Sequence, residues 1–141
     1  MKKILVFTFI LGFTIMSCKK DKDKSCALTE QNLLGSYKLT SMKYKASAST
    51  PEVEARDTFL DPCEKDDIIT LLSNHTYQYK DAGTQCQPNG DYNGDWSLNG
   101  NSFSVDGDVA NMDNFTCSGF TISAEGYYQD GDKVTMTYQK Q

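Results

Sequence analysis

Apolar residues are distributed in two different ways along this chain. Between Ile4 and Ile15 they form one nearly continuous run, broken only by Thr8, Gly12 and Thr14. After Gly35 they alternate with polar residues in short stretches bounded by turn residues, which is the period of a strand with one buried face. Residues 29–34 precede that pattern and predict a short helix, with Thr29 as N-cap and Gly35 as its stop. Tyr37 and Leu39 then share one phase and Met42 and Tyr44 the other, so the first strand is expected to bulge near Ser41. Residues 46–62 read as a loop. Two strands over Asp67–Leu72 and His75–Lys80 are expected to join at Ser73-Asn74, with His75, Tyr77 and Tyr79 alternating against Thr76, Gln78 and Lys80. Asp95-Trp96-Ser97-Leu98 starts another strand, and Asn99-Gly100 is the strongest hairpin signal, because a type I′ turn needs positive φ at both positions. Phe103 and Val105 continue beyond it. Phe115 and Cys117 keep one phase, Phe120 and Ile122 the other, with the switch at Gly119. The last hairpin turns at Asp130-Gly131 and leads into Val134, Met136 and Tyr138. This is an all-β pattern of about eight short antiparallel strands connected up and down. Closing them into a barrel removes exposed edges, and a sandwich satisfies the same pattern.

The early apolar run is too short for a bilayer-spanning helix, which needs about 20 residues. With Met1-Lys2-Lys3 before it, it has the form of a secretory signal. It ends in Ile15-Met16-Ser17-Cys18, which resembles the lipobox of bacterial lipoproteins. That resemblance implies a signal peptide over 1–17 and a diacylglyceride on Cys18, with the new N-terminus acylated as well. Residues 18–27 then form a charged tether, Lys19-Lys20-Asp21-Lys22-Asp23-Lys24-Ser25 following the lipidated Cys18, and 28–141 the folded domain. Two or three acyl chains give stable anchoring. The expected location is the cell envelope, at the outer membrane, with the domain facing the periplasm or the surface.

Removing residues 1–17 leaves 12 Lys and Arg against 19 Asp and Glu, a net charge of −7, and from residue 27 onward the balance is 8 against 17, or −9. A nucleic-acid binder relying on a basic surface is excluded, since phosphate binding requires a positive footprint. Setting Cys18 aside leaves Cys26, Cys63, Cys86 and Cys117. An even number in an exported domain implies disulfides, and four cysteines allow three pairings. With Leu72 facing His75, Cys63 falls opposite Thr84 and diagonal to Cys86. That register predicts Cys63–Cys86, and Cys26–Cys117 follows by elimination. The alternative, a cysteine metal site, has no CxxC spacing and a single histidine to draw on.

Leu34-Gly35-Ser36-Tyr37-Lys38-Leu39 resembles the Gly-x-Trp start of lipocalins. The longer pattern is similar to the lipocalin-like domain of small bacterial lipoproteins. It runs through Cys63-Glu64-Lys65-Asp66-Asp67-Ile68-Ile69, Ser73-Asn74-His75-Thr76-Tyr77 and Cys86 to Gly94-Asp95-Trp96-Ser97-Leu98-Asn99-Gly100-Asn101. It covers about residues 30–138, with Tyr37 standing where the family usually has Trp. The resemblance implies an eight-stranded antiparallel barrel and binding of at most a small apolar ligand.

Candidate chemistry is sparse. His75 is the sole histidine, so neither a Ser-His-Asp arrangement nor a histidine metal site can be assembled. Asp91, Asp95, Asp106, Asp108, Asp130 and Asp132 fall in or near turns, where aspartate serves local hydrogen bonding. No catalytic residue, cofactor or metal is expected, and the chain is read as a non-enzyme. Most aromatics are assigned to the core, while Tyr77, Tyr79 and Trp96 are the candidates to line a barrel mouth. The leading expectation is a lipid-anchored barrel holding a small hydrophobic ligand; the alternative is a solid barrel that meets other envelope proteins through its surface.

Overall fold

The computed structural model describes residues 26–141. The expected signal peptide over 1–17, the expected lipidation site Cys18 and the expected tether as far as residue 25 lie outside the described residues.

A short helix, α1 (Glu30–Leu33), is capped by the Thr29 side chain, which accepts from the Asn32 N–H. Nine strands follow: β1 (Gly35–Lys45), β2 (Val53–Glu54), β3 (Ile68–Leu71), β4 (Thr76–Lys80), β5 (Tyr92–Asn99), β6 (Ser102–Val105), β7 (Asp108–Thr116), β8 (Gly119–Glu125) and β9 (Lys133–Lys140). A second short helix, α2 (Arg56–Phe59), lies between β2 and β3. All pairings are antiparallel, and β1 joins β9, so eight strands close into a barrel from which a sandwich is excluded. The short β2 stays outside the ring, adding to the distal half of β1 through Lys43↔Glu54 and Tyr44↔Val53. Residues 46–62 are thus not all loop: they contain this strand and α2.

Closure depends on β1 bending. Its register against β9 slips between Leu39 and Ser41, at the position where the phase change predicted a bulge. The extra residue, Thr40, donates from its hydroxyl to the Thr137 carbonyl at 3.1 Å. A second bulge between Met112 and Asn114 bends β7. Such insertions coil strands enough for a sheet to meet itself.

Two local expectations are corrected. The β3–β4 connection is a three-residue loop, Ser73-Asn74-His75, rather than two residues. His75 takes φ +62°, and its N–H donates to Leu72 O at 3.2 Å, while Leu72 N–H donates to Thr76 O at 2.9 Å. Pairing therefore sets Ile69 against Tyr79 and Leu71 against Tyr77, all on the inward face. The register expected from the sequence would have opposed Ile69 to Gln78, an inward residue to an outward one. A one-residue slip inverts every side chain, so burial decides the register. The phase switch at Gly119 is a full hairpin, with Phe115↔Phe120 paired across Cys117-Ser118.

The barrel has two unlike ends. At the base lie α1 and the β3–β4, β5–β6 and β7–β8 hairpins. Leu33 from α1 plugs the base, and the Tyr37 hydroxyl donates to its carbonyl at 2.8 Å. Burial pushes that phenol up to about 12. The Trp96 indole donates to Leu72 O at 3.0 Å, and Lys140 Nζ to Leu34 O at 2.7 Å. Between the ends, Tyr37, Leu71, Tyr77, Trp96, Phe103, Met112, Phe120 and Ile122 fill the interior. Their rings interlock: Tyr37 meets Phe120 edge-on at 4.8 Å, and Phe120 stacks on Tyr138 at 4.9 Å.

One disulfide secures each end, Cys26–Cys117 at the base and Cys63–Cys86 across the loops of the far end. These are the two expected pairs, although the β3–β4 ladder ends at Ile68↔Lys80 and the loops beyond it, rather than the register, bring Cys63 to Cys86. Cys63 and Cys86 are 23 residues apart. Freeing that loop in the unfolded chain with Cys63→Ser/Cys86→Ser should cost about 3 kcal/mol by loop entropy. A denaturant titration with an earlier midpoint and a somewhat steeper slope, from the less compact unfolded chain, is the expected result.

Candidate functional site

The far end is built by carboxylates that gather backbone N–H groups. Asp132 is almost wholly buried, and its oxygens accept from the N–H groups of Tyr127, Tyr128 and Gln129 at 2.8–3.0 Å, folding the β8–β9 turn around one side chain. Asp81, equally buried, does the same for the 81–91 loop, accepting from Cys86 and Gly90 N–H. Asp91 holds the Asp81 N–H at 2.7 Å and pairs with Lys80 at 2.6 Å. Asp67 accepts from Ala82 N–H at 3.1 Å and from the Tyr79 hydroxyl at 2.7 Å. These loops lack the regular ladder that would satisfy their amides, and aspartate supplies the acceptors in its place.

A second pattern joins tyrosine to carboxylate. The Tyr77 hydroxyl donates to Asp106, which also accepts from the Asp95 N–H at 2.8 Å. Asp106 sits at φ +52° in the Asp-Gly turn between β6 and β7, a conformation short polar residues tolerate. The crossing requires Gly94, directly opposite Tyr77: a Cβ there would lie 2.6 Å from Tyr77 Cε1 and overlap the Asp106 carboxylate. The Tyr77 hydroxyl holds the Asp106 carboxyl below its ordinary value, with the Asp95 N–H adding to the effect. Burial pushes the Tyr77 and Tyr79 phenols up, helped by Asp106 and Asp67 respectively. Both tyrosines are therefore neutral donors over any working pH.

Tyr77 and Trp96 are core residues in this conformation, 1% and 2% exposed, with their polar atoms committed to Asp106 and Leu72 O. Tyr79 lies nearer the rim, stacked on the half-exposed Tyr92 at 4.7 Å. The three candidates thus share one interior, but not an open mouth. His75 is at the opposite end, exposed beside Glu30 at 3.8 Å and tilted against Trp96 at 5.4 Å. Among the described residues, no three His, Cys, Asp or Glu side chains converge as metal ligands. Two concavities open on the outside of the wall. One, of about 480 Å³, lies over β3, β4 and β5 and includes Thr70, Gln78, Lys80 and Asn93. The other, of about 290 Å³, lies over β7, β8 and β9 and includes Asn114, Thr121 and Thr137.

The sequence reading omitted Phe59, Tyr127 and Tyr128, which form a ring cluster at the far end. Phe59 stacks on Tyr128 at 4.7 Å, and Tyr127 meets Tyr128 edge-on at 4.8 Å. Their signal was present as aromatics outside any alternating run, flanked by turn residues.

The profile of the lipocalin-like domain family matches residues 33–141, from the end of α1 through the last strand. The chain belongs to the lipocalin-like domain family, whose members are typically binding proteins. No curated protein and no solved structure matches it. The two disulfides fit an oxidising, extracytoplasmic compartment, and no helix of the described residues is long and apolar enough to cross a membrane.

For Asp132, burial raises the carboxyl's affinity for a proton, but the three N–H donors outweigh it and hold the value below the ordinary 3.8. A lowered folded-state value means that the carboxylate's stabilisation is present above the ordinary value and is lost as pH falls through the lowered one. Amide exchange should show this. Protection of Tyr127, Tyr128 and Gln129 is expected to persist at the ordinary carboxylate value of 3.8 and to be lost only at lower pH. Asp132→Asn should lower protection at neutral pH and remove that acid step.

Proposed function

We propose that this chain is an exported lipoprotein, anchored in the cell envelope through Cys18, whose barrel works through its surface. The filled interior supports this most directly. Tyr37, Tyr77, Trp96, Phe103 and Phe120 each have 3% or less of their surface exposed, in the space where a hollow barrel holds its ligand. On this reading the protein is not an enzyme. Its carboxylates serve as acceptors for loop amides, and its histidine stands alone at a hairpin. The outer membrane is the proposed site of anchoring, with the domain facing the periplasm or the surface.

The family match favours a second reading, a small hydrophobic ligand meeting Tyr77, Tyr79 and Trp96. Such a ligand has to displace packed rings, since Tyr77 and Trp96 are buried with their polar atoms already bonded. Native mass spectrometry of the full chain after exposure to an envelope lipid extract separates the two readings. The expected spectrum shows the lipidated protein alone. A stoichiometric non-covalent adduct would install the ligand reading.

Anchoring has its own test. Cells fed labelled palmitate should incorporate it into the protein, and Cys18→Ser should abolish both the label and sedimentation with membranes. An unlabelled protein that sediments as before would remove the lipid anchor from the proposal.

A further inference from the structure

Among the described residues, the large apolar side chains that stand exposed share one end of the barrel. Val53 in β2, Phe59 in α2, Tyr92 opening β5, Val109 near the start of β7, and Tyr127 and Tyr128 in the β8–β9 turn all lie at the far end, opposite α1. Single exposed apolar residues are ordinary, whereas a group gathered on one surface marks a contact site. Several of these rings are already fixed by one another, Phe59 on Tyr128 and Tyr92 on Tyr79. Covering them costs little further ordering.

Charge is divided along the same axis. The far-end connections, residues 46–67, 81–91, 106–108 and 125–133, contain 14 of the 17 acidic residues of 27–141 and 3 of its 8 basic ones. Lys43, Lys45 and Lys80 stand at the same end, Lys43 and Lys80 paired with Glu52 and Asp91 and Lys45 opposite Lys133, so six against 14 gives −8 for that end and two against three gives −1 for the remainder. A field of that strength repels anionic lipid and nucleic acid, and it opposes a second copy docking the same way round. It attracts cations to a surface of tyrosine rings, whose faces bind them. Cys26, bonded to Cys117, lies at the base, the opposite end from these rings.

We propose that the far end is a docking face for a Lys- or Arg-rich segment of a partner protein, with its cations over Tyr92, Tyr127 and Tyr128. The inference rests on the reading that the barrel works through its surface, and it names the surface and the chemistry of the partner.

The test titrates the full chain, in detergent micelles, with fluorescent decapeptides of alternating Lys and Gly, Glu and Gly, or Ser and Gly, read by anisotropy. Only the lysine peptide is expected to bind, and added salt should weaken it. Tyr127→Ser/Tyr128→Ser leaves the charge unchanged and should weaken binding about tenfold. Asp108→Lys/Asp130→Lys, at the exposed start of β7 and in the β8–β9 turn, should weaken it comparably without touching a ring. Glu30→Gln/Asp113→Asn, away from this end, should bind as the parent does. Equal binding of all three peptides, or indifference to both far-end variants, overturns the proposal. So does a concentration-dependent dimer that those variants dissolve. If no peptide binds while crosslinking from the outer wall still recovers a specific envelope partner, the surface reading stands and far-end docking falls.

Discussion

Closure of β1 onto β9 is the constraint on which the rest of the structure depends. β1 has to pair with β3 over Gly35–Lys38, with β2 over Lys43–Tyr44, and with β9 along almost its whole length. A regular strand is too straight for this, and the residue inserted at Thr40 supplies the bend. Once the ring is closed, every strand has an inner face of limited room. Eight strands leave a space that side chains alone can fill, and here rings fill it. Tyr37, Trp96, Phe103 and Phe120 contact one another or a shared neighbour, so the core is one aromatic network rather than a lining around a space.

The polar tips of that network explain how so many tyrosines can be buried. A phenol moved out of water needs a partner, and each end of the barrel supplies one in its own way. At the base the acceptors are main-chain carbonyls, Leu33 O for Tyr37 and Leu72 O for the Trp96 indole. At the far end they are carboxylates, Asp106 for Tyr77 and Asp67 for Tyr79. The same end uses Asp81 and Asp132 to hold loop amides. The acidity of the domain thus follows from its architecture: long connections without a ladder need acceptors, and aspartate meets that need within a short reach.

What the sequence made legible was periodic or chemical. Alternation in His75–Lys80 and Val134–Tyr138, the Asn99-Gly100 turn, the phase change near Ser41 and the even cysteine count each report a local rule. The pattern failed where two rules compete. His75 alternates correctly with Tyr77 and Tyr79, yet it occupies a left-handed turn position that asparagine, aspartate and histidine accept more readily than most residues. Residues 46–62 look like loop because β2 contributes only two residues and α2 a single turn. For the site, residue type identified Tyr77, Tyr79 and Trp96 as amphipathic, but whether a phenol faces a cavity or a carboxylate is set by residues distant in sequence. Asp106 is 29 positions from Tyr77, and no local rule connects them. The ring cluster of Phe59, Tyr127 and Tyr128 escaped for the same reason, since α2 and the β8–β9 turn meet only after closure.

The Cys26–Cys117 bond also determines how the barrel bears mechanical load. Any tension along the chain N-terminal to Cys26 passes through sulfur to the β7–β8 hairpin before it can reach α1. That hairpin is flanked by β6 and β9, so the force enters the middle of a continuous sheet and is shared by both sides. α1 and the first residues of β1, which a pull would otherwise peel away first, are relieved by this second covalent path. The plug at the base stays seated while the domain is tugged.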